Sequence, residues 1–479
     1  MSLRDDAPLL ASYLDALRSD AAPFTIPGHK RRAGRLDQGL GQVVDGDVPL
    51  YGGLDTTKLS RGRLADAEAR AGRLWGADWC RFSCGGSTHG NQALCLALGR
   101  PGDEVIVARS LHRSTLLGLV LAGLVPVWLP TRIHPATALP LGVAIGDVAA
   151  ALDAHPAARA VLLTEPGYLG AISDISRIAA LAHLHGVPLV VDQAWGAHLG
   201  FHPGLPPHAL ALGADAAVTS AHKALPAYSQ GALVLARTEL LDPQRLETAF
   251  EAGHTTSPAG SVLASIDACR ALLETRGPEL LGRLLDLVDG MRRRLLAEVP
   301  GLVVPDAQLF GAGRCDPCKL VLVLPGTGAD GVLVEAELIA AGVPVEMADR
   351  DTIVPMVTVA DDADTTGRFL DVLIPSLRRH AGTPRDVAPS ISWDLRPEQV
   401  LDPRTAYFSP SRTVAVRDAV GEVSAELVAL YPPGVPVLAP GERITEQVLD
   451  ALLTARAHGV RVAYAADPGL ATLRVATLR

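Results

Sequence analysis

One lysine stands at the end of Ser220-Ala221-His222-Lys223, ahead of Ala224-Leu225-Pro226. Upstream, the apolar run Val187-Pro188-Leu189-Val190-Val191 closes on Asp192. A lysine amine can hold an aldehyde as a Schiff base. An acid closing a buried strand can keep a pyridine nitrogen protonated. Together they suit pyridoxal phosphate (PLP), whose ring then serves as an electron sink. The plainer alternative is a surface lysine after one strand and an aspartate ending another.

Other residues supply what such a cofactor needs. Gly85-Gly86-Ser87-Thr88-His89-Gly90-Asn91 falls at a strand-to-helix junction. Glycine lets the backbone approach an anion, and free N–H groups at a helix start bind phosphate. Ser87 and Thr88 add hydroxyls. His112, just after an expected strand, could stack on a flat ring or cap a helix. In Asp192-Gln193-Ala194-Trp195, alternation along a strand points Asp192 and Ala194 to one side, so Ala194 could pack on the ring that Asp192 meets. His198 is read as a supporting or structural residue.

The elements that must position these groups follow from hydrophobic pattern. Strands are expected at 104–108, 125–129, 160–164, 189–192, 216–219 and 232–235, with helices at 64–74 and 92–97 and others between most strands. Such alternation predicts an α/β fold with a mostly parallel sheet covered on both faces. A helix is expected over 7–19 and a long one over 261–298, leading to a smaller unit with strands at 319–323 and 343–347. The expected division is an N-terminal arm and active-site loop (1–60), a cofactor-binding domain (61–275), a small α/β domain (276–380) and a C-terminal α+β domain (390–479). A chain of 479 residues suits several domains.

Composition narrows the class. Hydrophobic residues make up 48% and charged residues 20%, the globular range. The net charge of −9 carries no basic stripe, which argues against nucleic acid as a partner but leaves room for a cationic substrate. Cys315-Asp316-Pro317-Cys318 has the CxxC form without a second ligand pair, so the reading is a structural loop with reduced thiols and no metal. The first residues are polar, and no apolar run is long enough to cross a bilayer. The expectation is a soluble cytoplasmic protein.

These motifs, with Ile26-Pro27-Gly28-His29-Lys30, Thr255-Thr256-Ser257-Pro258, Asp316-Pro317-Cys318-Lys319-Leu320 and Ser424-Ala425-Glu426 through Tyr431-Pro432-Pro433-Gly434, stand in the order of a known family. The chain resembles the Orn/Lys/Arg decarboxylases of PLP fold type I, in particular the shorter bacterial arginine/lysine decarboxylases. That resemblance leaves no room here for the N-terminal wing domain of the large members. It implies an aspartate aminotransferase-like large domain, and decarboxylation of a basic amino acid in amino-acid metabolism or polyamine biosynthesis. It makes Lys223 the Schiff-base lysine, Asp192 the pyridinium partner and His112 the stacking residue. Gly86, Ser87, Thr88, Ser220 and His222 would lie at or near the phosphate, with Ala194 and Trp195 along the ring. Ser257 would reach the neighbouring subunit's phosphate, making a homodimer the smallest active unit. Lys223 or His222 would return a proton to Cα. Asp55, Glu165 and Glu426 are the candidate substrate carboxylates.

The chain also departs from the family. It has Leu54-Asp55-Thr56-Thr57 where members tend to carry a second acid, and Glu165-Pro166-Gly167-Tyr168 where many have Ser/Asn-Pro-Thr-Tyr. These changes leave open another PLP outcome: transamination, cyclisation or elimination.

Overall fold

The computed structural model describes residues 3–19, 26–30, 32–48, 62–387, 395–431, 435–457 and 460–477. Its centre is a seven-stranded sheet. In chain order the strands are β1 (Trp79–Ser83), β2 (Glu104–Ala108), β3 (Val125–Leu129), β4 (Val161–Thr164), β5 (Leu189–Asp192), β6 (Ala216–Ser220) and β7 (Ala232–Ala236). Their spatial order is β1-β7-β6-β5-β4-β2-β3. Strands β3 through β6 run parallel across the sheet, and β7 runs antiparallel to both β6 and β1. Every residue of β5, β6 and β7 is buried. That explains their nearly continuous Val, Leu and Ala: a sheet covered on both faces has no polar side to alternate with.

The sequence pattern did not disclose β1. Its central Arg81 breaks the apolar run, but partners outside the strand hold it, with Glu247 at 2.5 Å and Glu68 at 3.7 Å. Glu68 also accepts the Phe82 amide. The helix after β1 starts at Gly86, not at residue 92, and runs Gly86–Leu98. The glycine-rich motif is therefore the first helical turn. Gly90 lies where a Cβ would come within 2.7 Å of Val218 Cγ1 and 2.9 Å of Val234 Cγ2. Only glycine lets this helix press so closely on β6 and β7.

Helix Gly260–Glu298 buries a stripe from Val262 to Leu295 and carries the core into a second unit. The boundary expected at 275/276 falls inside this one helix. The second unit has three short strands, β8 (Leu322–Val323), β9 (Met347–Ala348) and β10 (Thr352–Val354), ordered β8-β10-β9. The expected strands 319–323 and 343–347 are thus mostly absent. Residues 316–319 form a turn instead, with the Lys319 amide donating to the Asp316 carbonyl. Pro344 has no N–H to give a ladder.

The C-terminal unit pairs β11 (Ser411–Ala415) with β15 (Thr472–Ala476), and β12 (Val428–Tyr431) with β13 (Val435–Leu438) and β14 (Arg461–Ala463). It is pinned to the large sheet by the buried pair Arg109–Glu442. Arg109 Nη2 also donates to the Val437 carbonyl at 3.0 Å. At the other terminus, Asp267 accepts the Leu9 amide at 2.9 Å, and Arg270 reaches both Asp267 and the Asp6 carbonyl. Helix Pro8–Arg18 is thereby tied to the long one.

Candidate active site

Strands β1, β2, β4, β5 and β6 all end on one edge of the sheet, where open α/β folds bind their ligands. Gly86, His112, Glu165, Asp192 and Lys223 each follow or close one of these strands. The five motifs scattered over the sequence thus meet along one edge because parallel strands share a direction.

Asp192, at the end of β5, is buried. Its Oδ2 accepts from Asn91 Nδ2 at 2.7 Å and its Oδ1 from the Ala194 amide at 3.1 Å. Asn91 also donates to Ser114 Oγ at 2.9 Å, and Ser114 Oγ lies 2.8 Å from His112 Nδ1. One hydrogen-bonded row thus runs His112–Ser114–Asn91–Asp192. His112 Nδ1 also accepts the Ser114 amide and caps helix Arg113–Ala122. Capping and facing the site prove compatible. Burial holds the His112 imidazole below its usual range; Asp192 opposes that shift, while Lys223 and Arg113 add to it.

Ser87 Oγ and Ser220 Oγ lie 2.6 Å apart, buried, at the start of helix Gly86–Leu98. Gly86 takes φ +70°, a left-handed conformation that favours glycine, and its amide donates to the Gln230 carbonyl. Thr88 is exposed on the same turn. His222 donates through Nδ1 to the Gly231 carbonyl at 2.9 Å, which leaves Nε2 as its other functional nitrogen.

Lys223 Nζ lies 4.3 Å from the centre of the Trp195 ring. Burial pulls its amine below the usual lysine range, opposed by Asp192 and Glu346. A second lysine shares that indole: Lys319 Nζ is 3.8 Å from its centre and 5.0 Å from that of Tyr168. Trp195 and Tyr168 meet edge to face at 5.3 Å, and Tyr168 Oη donates to Glu346 Oε1 at 3.2 Å. Lys223, Lys319 and Trp195 line a cleft together with residues 355–358. Asn91, Ser114, Lys319 and Glu346 were given no role in the sequence reading. Three of them lie in or beside residues already singled out, Asn91 in Gly86–Asn91, Lys319 in Asp316–Leu320 and Ser114 two residues after His112, and that is the available signal.

The candidate substrate carboxylates do not gather. Glu165 is 3% exposed and turns to Ser173, accepting its hydroxyl and, at 3.0 Å, its amide. Burial pushes its carboxyl up to about 7 despite those bonds. Glu426 accepts the Ala466 and Arg474 amides, both at 2.6 Å, and so holds C-terminal strands together. Asp55 lies outside the described residues. Ser257 is exposed, with its amide bonded to Thr255 Oγ1.

Cys315 and Cys318 are free thiols whose acidity burial suppresses, Cys315 to about 11. His198, Asp316 and Cys318 bring ligand atoms within 4.8 Å of one another. Here His198 Nε2 and the Cys318 amide both engage Asp316 Oδ1, a bracing role for the loop that presents Lys319. No described helix is long and apolar enough to cross a membrane.

The residues fit PLP. A buried lysine has its pKa lowered, an aspartate is fixed by two donors, and paired hydroxyls stand at a glycine-started helix. Comparisons with known proteins agree. A model described as the Orn/Lys/Arg decarboxylase major domain matches residues 7–308, and one for the C-terminal domain of the same enzymes matches 391–462. An arginine decarboxylase of Halalkalibacterium halodurans is 32% identical, covering 99% of this chain and 98% of its own. The solved Francisella novicida lysine decarboxylase superposes with a TM-score of 0.85 at 20% identity, over 99% of this chain and 82% of that one. A serine palmitoyltransferase solved with PLP superposes with a TM-score of 0.56 at 17% identity, over 79% of this chain and 85% of that one, in keeping with PLP fold type I. The chain belongs to the Orn/Lys/Arg decarboxylase family.

Proposed function

We propose that this protein is a PLP-dependent decarboxylase acting on a basic amino acid, with arginine as the first candidate, and that it works as a homodimer in the cytoplasm. The observation that carries the reading is that Lys223, which lines a cleft at the carboxyl edge of the sheet, interacts electrostatically with Asp192, itself held by Asn91. Family membership supplies the reaction class. The full-length relative at 32% identity is named for arginine, whereas the lysine enzyme shares the fold at 20%.

Lys223 would hold the cofactor covalently, and burial, by lowering its pKa, favours the neutral, nucleophilic amine. Asp192, fixed by Asn91 and the Ala194 amide, would face the pyridine nitrogen. Ser87, Ser220, Thr88 and the helix start would hold the phosphate, and Ala194 and His112 would bracket the ring. When bound, PLP supplies the sink for the electron pair released at Cα. The bond that breaks is the one the protein holds perpendicular to the ring plane, so orientation selects decarboxylation. Lys223 or His222 Nε2 would return the proton to Cα. Glu346, beside Tyr168 and electrostatically coupled to both cleft lysines, is a further candidate for the substrate's cationic end.

Incubation of the PLP-loaded enzyme with arginine, lysine and ornithine, with CO2 captured, tests the reading. Release from one of them, with the matching amine formed, is the expected result. No CO2 from any, with Lys223 still carrying cofactor, would overturn it in favour of another PLP outcome.

A further inference from the structure

Four lysines occur in the whole chain, at positions 30, 58, 223 and 319, among 43 basic residues. Arginine serves nearly everywhere else. Two of those four lysines converge on a single indole ring. One is the expected cofactor lysine. The other, Lys319, is half-buried overall, but its ammonium nitrogen is fully buried and has no hydrogen-bond partner among the described residues. Burying such a group without an acceptor costs free energy, and a retained orphan in a cleft points to a use. Asp316 and Glu346 act on it electrostatically, but neither hydrogen-bonds it. Asp316 is engaged by His198 and the Cys318 amide, and Glu346 by Tyr168.

The site is shaped around this side chain. Gly170, at φ +92°, leaves a gap where a Cβ would come within 3.0 Å of Lys319 Cβ and 3.1 Å of its Cγ. The stem passes over that glycine, and the ammonium emerges between Tyr168 and Trp195 into the cleft shared with Lys223. Burial lowers its basicity to about 8, which leaves it mostly charged at neutral pH. It therefore offers three N–H donors and a positive charge next to the reacting amine. Arginine would present a wide planar fork; the compact ammonium fits a tight apolar slot.

We propose that Lys319 binds the α-carboxylate of the substrate and so fixes which bond at Cα faces the cleavage position. This deepens the proposed function and rests on it. Two anions enter such a site. The phosphate already has a cradle on other elements: Ser87, Ser220 and the start of helix Gly86–Leu98. The substrate carboxylate has none among the other cleft groups described. Carboxylate and ammonium would form a charge-assisted hydrogen bond, shielded from water by the two aromatic rings.

Paired ligands test this without turnover. For an arginine-cleaving enzyme they are agmatine, which lacks the carboxylate, and δ-guanidinovalerate, which keeps it but lacks the amine. Calorimetric titration of holoenzyme is expected to show Lys319→Met weakening guanidinovalerate roughly ten- to a hundredfold, the range of a hydrogen bond to a charged group. Agmatine and PLP affinities should stay within about twofold on the same grounds, and Lys319→Arg should recover part of the loss. The Lys319→Met midpoint in denaturant should hold or rise, since methionine removes a buried orphan of similar length. Unchanged guanidinovalerate binding in Lys319→Met, equal loss of both ligands, or loss of PLP would each overturn the assignment. If wild-type holoenzyme bound neither compound, the arginine reading would fall instead, and this one with it. In that case CO2 release from lysine or ornithine would restore the basic-amino-acid reading, and the corresponding ligand pair would decide the carboxylate assignment.

Discussion

In the proposed mechanism Lys223 and Asp192 divide one task, and their environments suit the division. Burial makes the Lys223 amine easier to deprotonate, while Asp192 is held ready by two donors. Lys223→Ala should abolish the visible absorbance that develops when PLP is added. Asp192→Asn should keep that absorbance yet lower kcat by about a hundredfold or more, the usual effect of losing one preorganised electrostatic contact. Both residues were legible because each ends a short local pattern: an apolar run closed by an acid, and small polar residues closed by a lysine. Lys319 and Asn91 were not, since their roles come from what the fold sets opposite them. Glu165 makes the same point from the other side. An acid in Glu165-Pro166-Gly167-Tyr168, where the family motif differs, suggests a contact to a cationic substrate, but burial and Ser173 occupy it. Its folded pKa of about 7 lies above the unfolded value of 4.5, so the folded state binds more protons between those limits. Stability from this group is present below about pH 4.5 and is lost as pH rises toward 7. Relative to wild type, Glu165→Gln should therefore gain roughly 2 kcal/mol between pH 5 and 8. Denaturant midpoints across that range check it; a flat difference would show that Glu165 does not titrate there.

Helix Gly86–Leu98 shows how an element is chosen for what it touches. Helix propensity alone would place alanine at Gly90, since glycine costs about 1 kcal/mol in a helix interior. The packing reverses that preference, because Val218 and Val234 are β-branched side chains on a sheet that cannot yield easily. Gly90→Ala should destabilise by about 1–3 kcal/mol, as overpacking does, and should raise the PLP dissociation constant by shifting Ser87. A denaturant midpoint at or above wild type would mean that the helix can slide. Legibility at this scale followed burial. The fully buried strands β5, β6 and β7 match their expected limits within a residue. Strand β1 was hidden by Arg81, whose partners Glu68 and Glu247 lie on separate helices. The strands of the second unit were overdrawn because Val and Leu runs near Pro344 and Asp316 fit the strand pattern, while the backbone had turns to make.

At the scale of the whole molecule, the proposed homodimer can be tested through Ser257. The proposed phosphate cradle takes its hydroxyls from Ser87, Ser220 and Thr88, whereas Ser257 stands exposed after helix Pro243–Gly253. If Ser257 serves a neighbouring subunit's cofactor, each site takes Lys223 from one chain and Ser257 from the other. Ser257→Ala should then weaken PLP about tenfold, the value of one hydrogen bond to a charged phosphate. Its effect on the stability of the cofactor-free chain should be small, because the side chain is exposed. Mixing decides the matter. A dimer joining a Lys223→Ala chain to a Ser257→Ala chain rebuilds one site with both residues intact and leaves the other with neither. Titration of the purified mixed dimer should reveal one wild-type-affinity site that forms the lysine-bound chromophore. Neither parent dimer has such a site. If Lys223 and Ser257 instead served the same chain's cofactor, both sites in the mixed dimer would stay defective, and tight binding would not return.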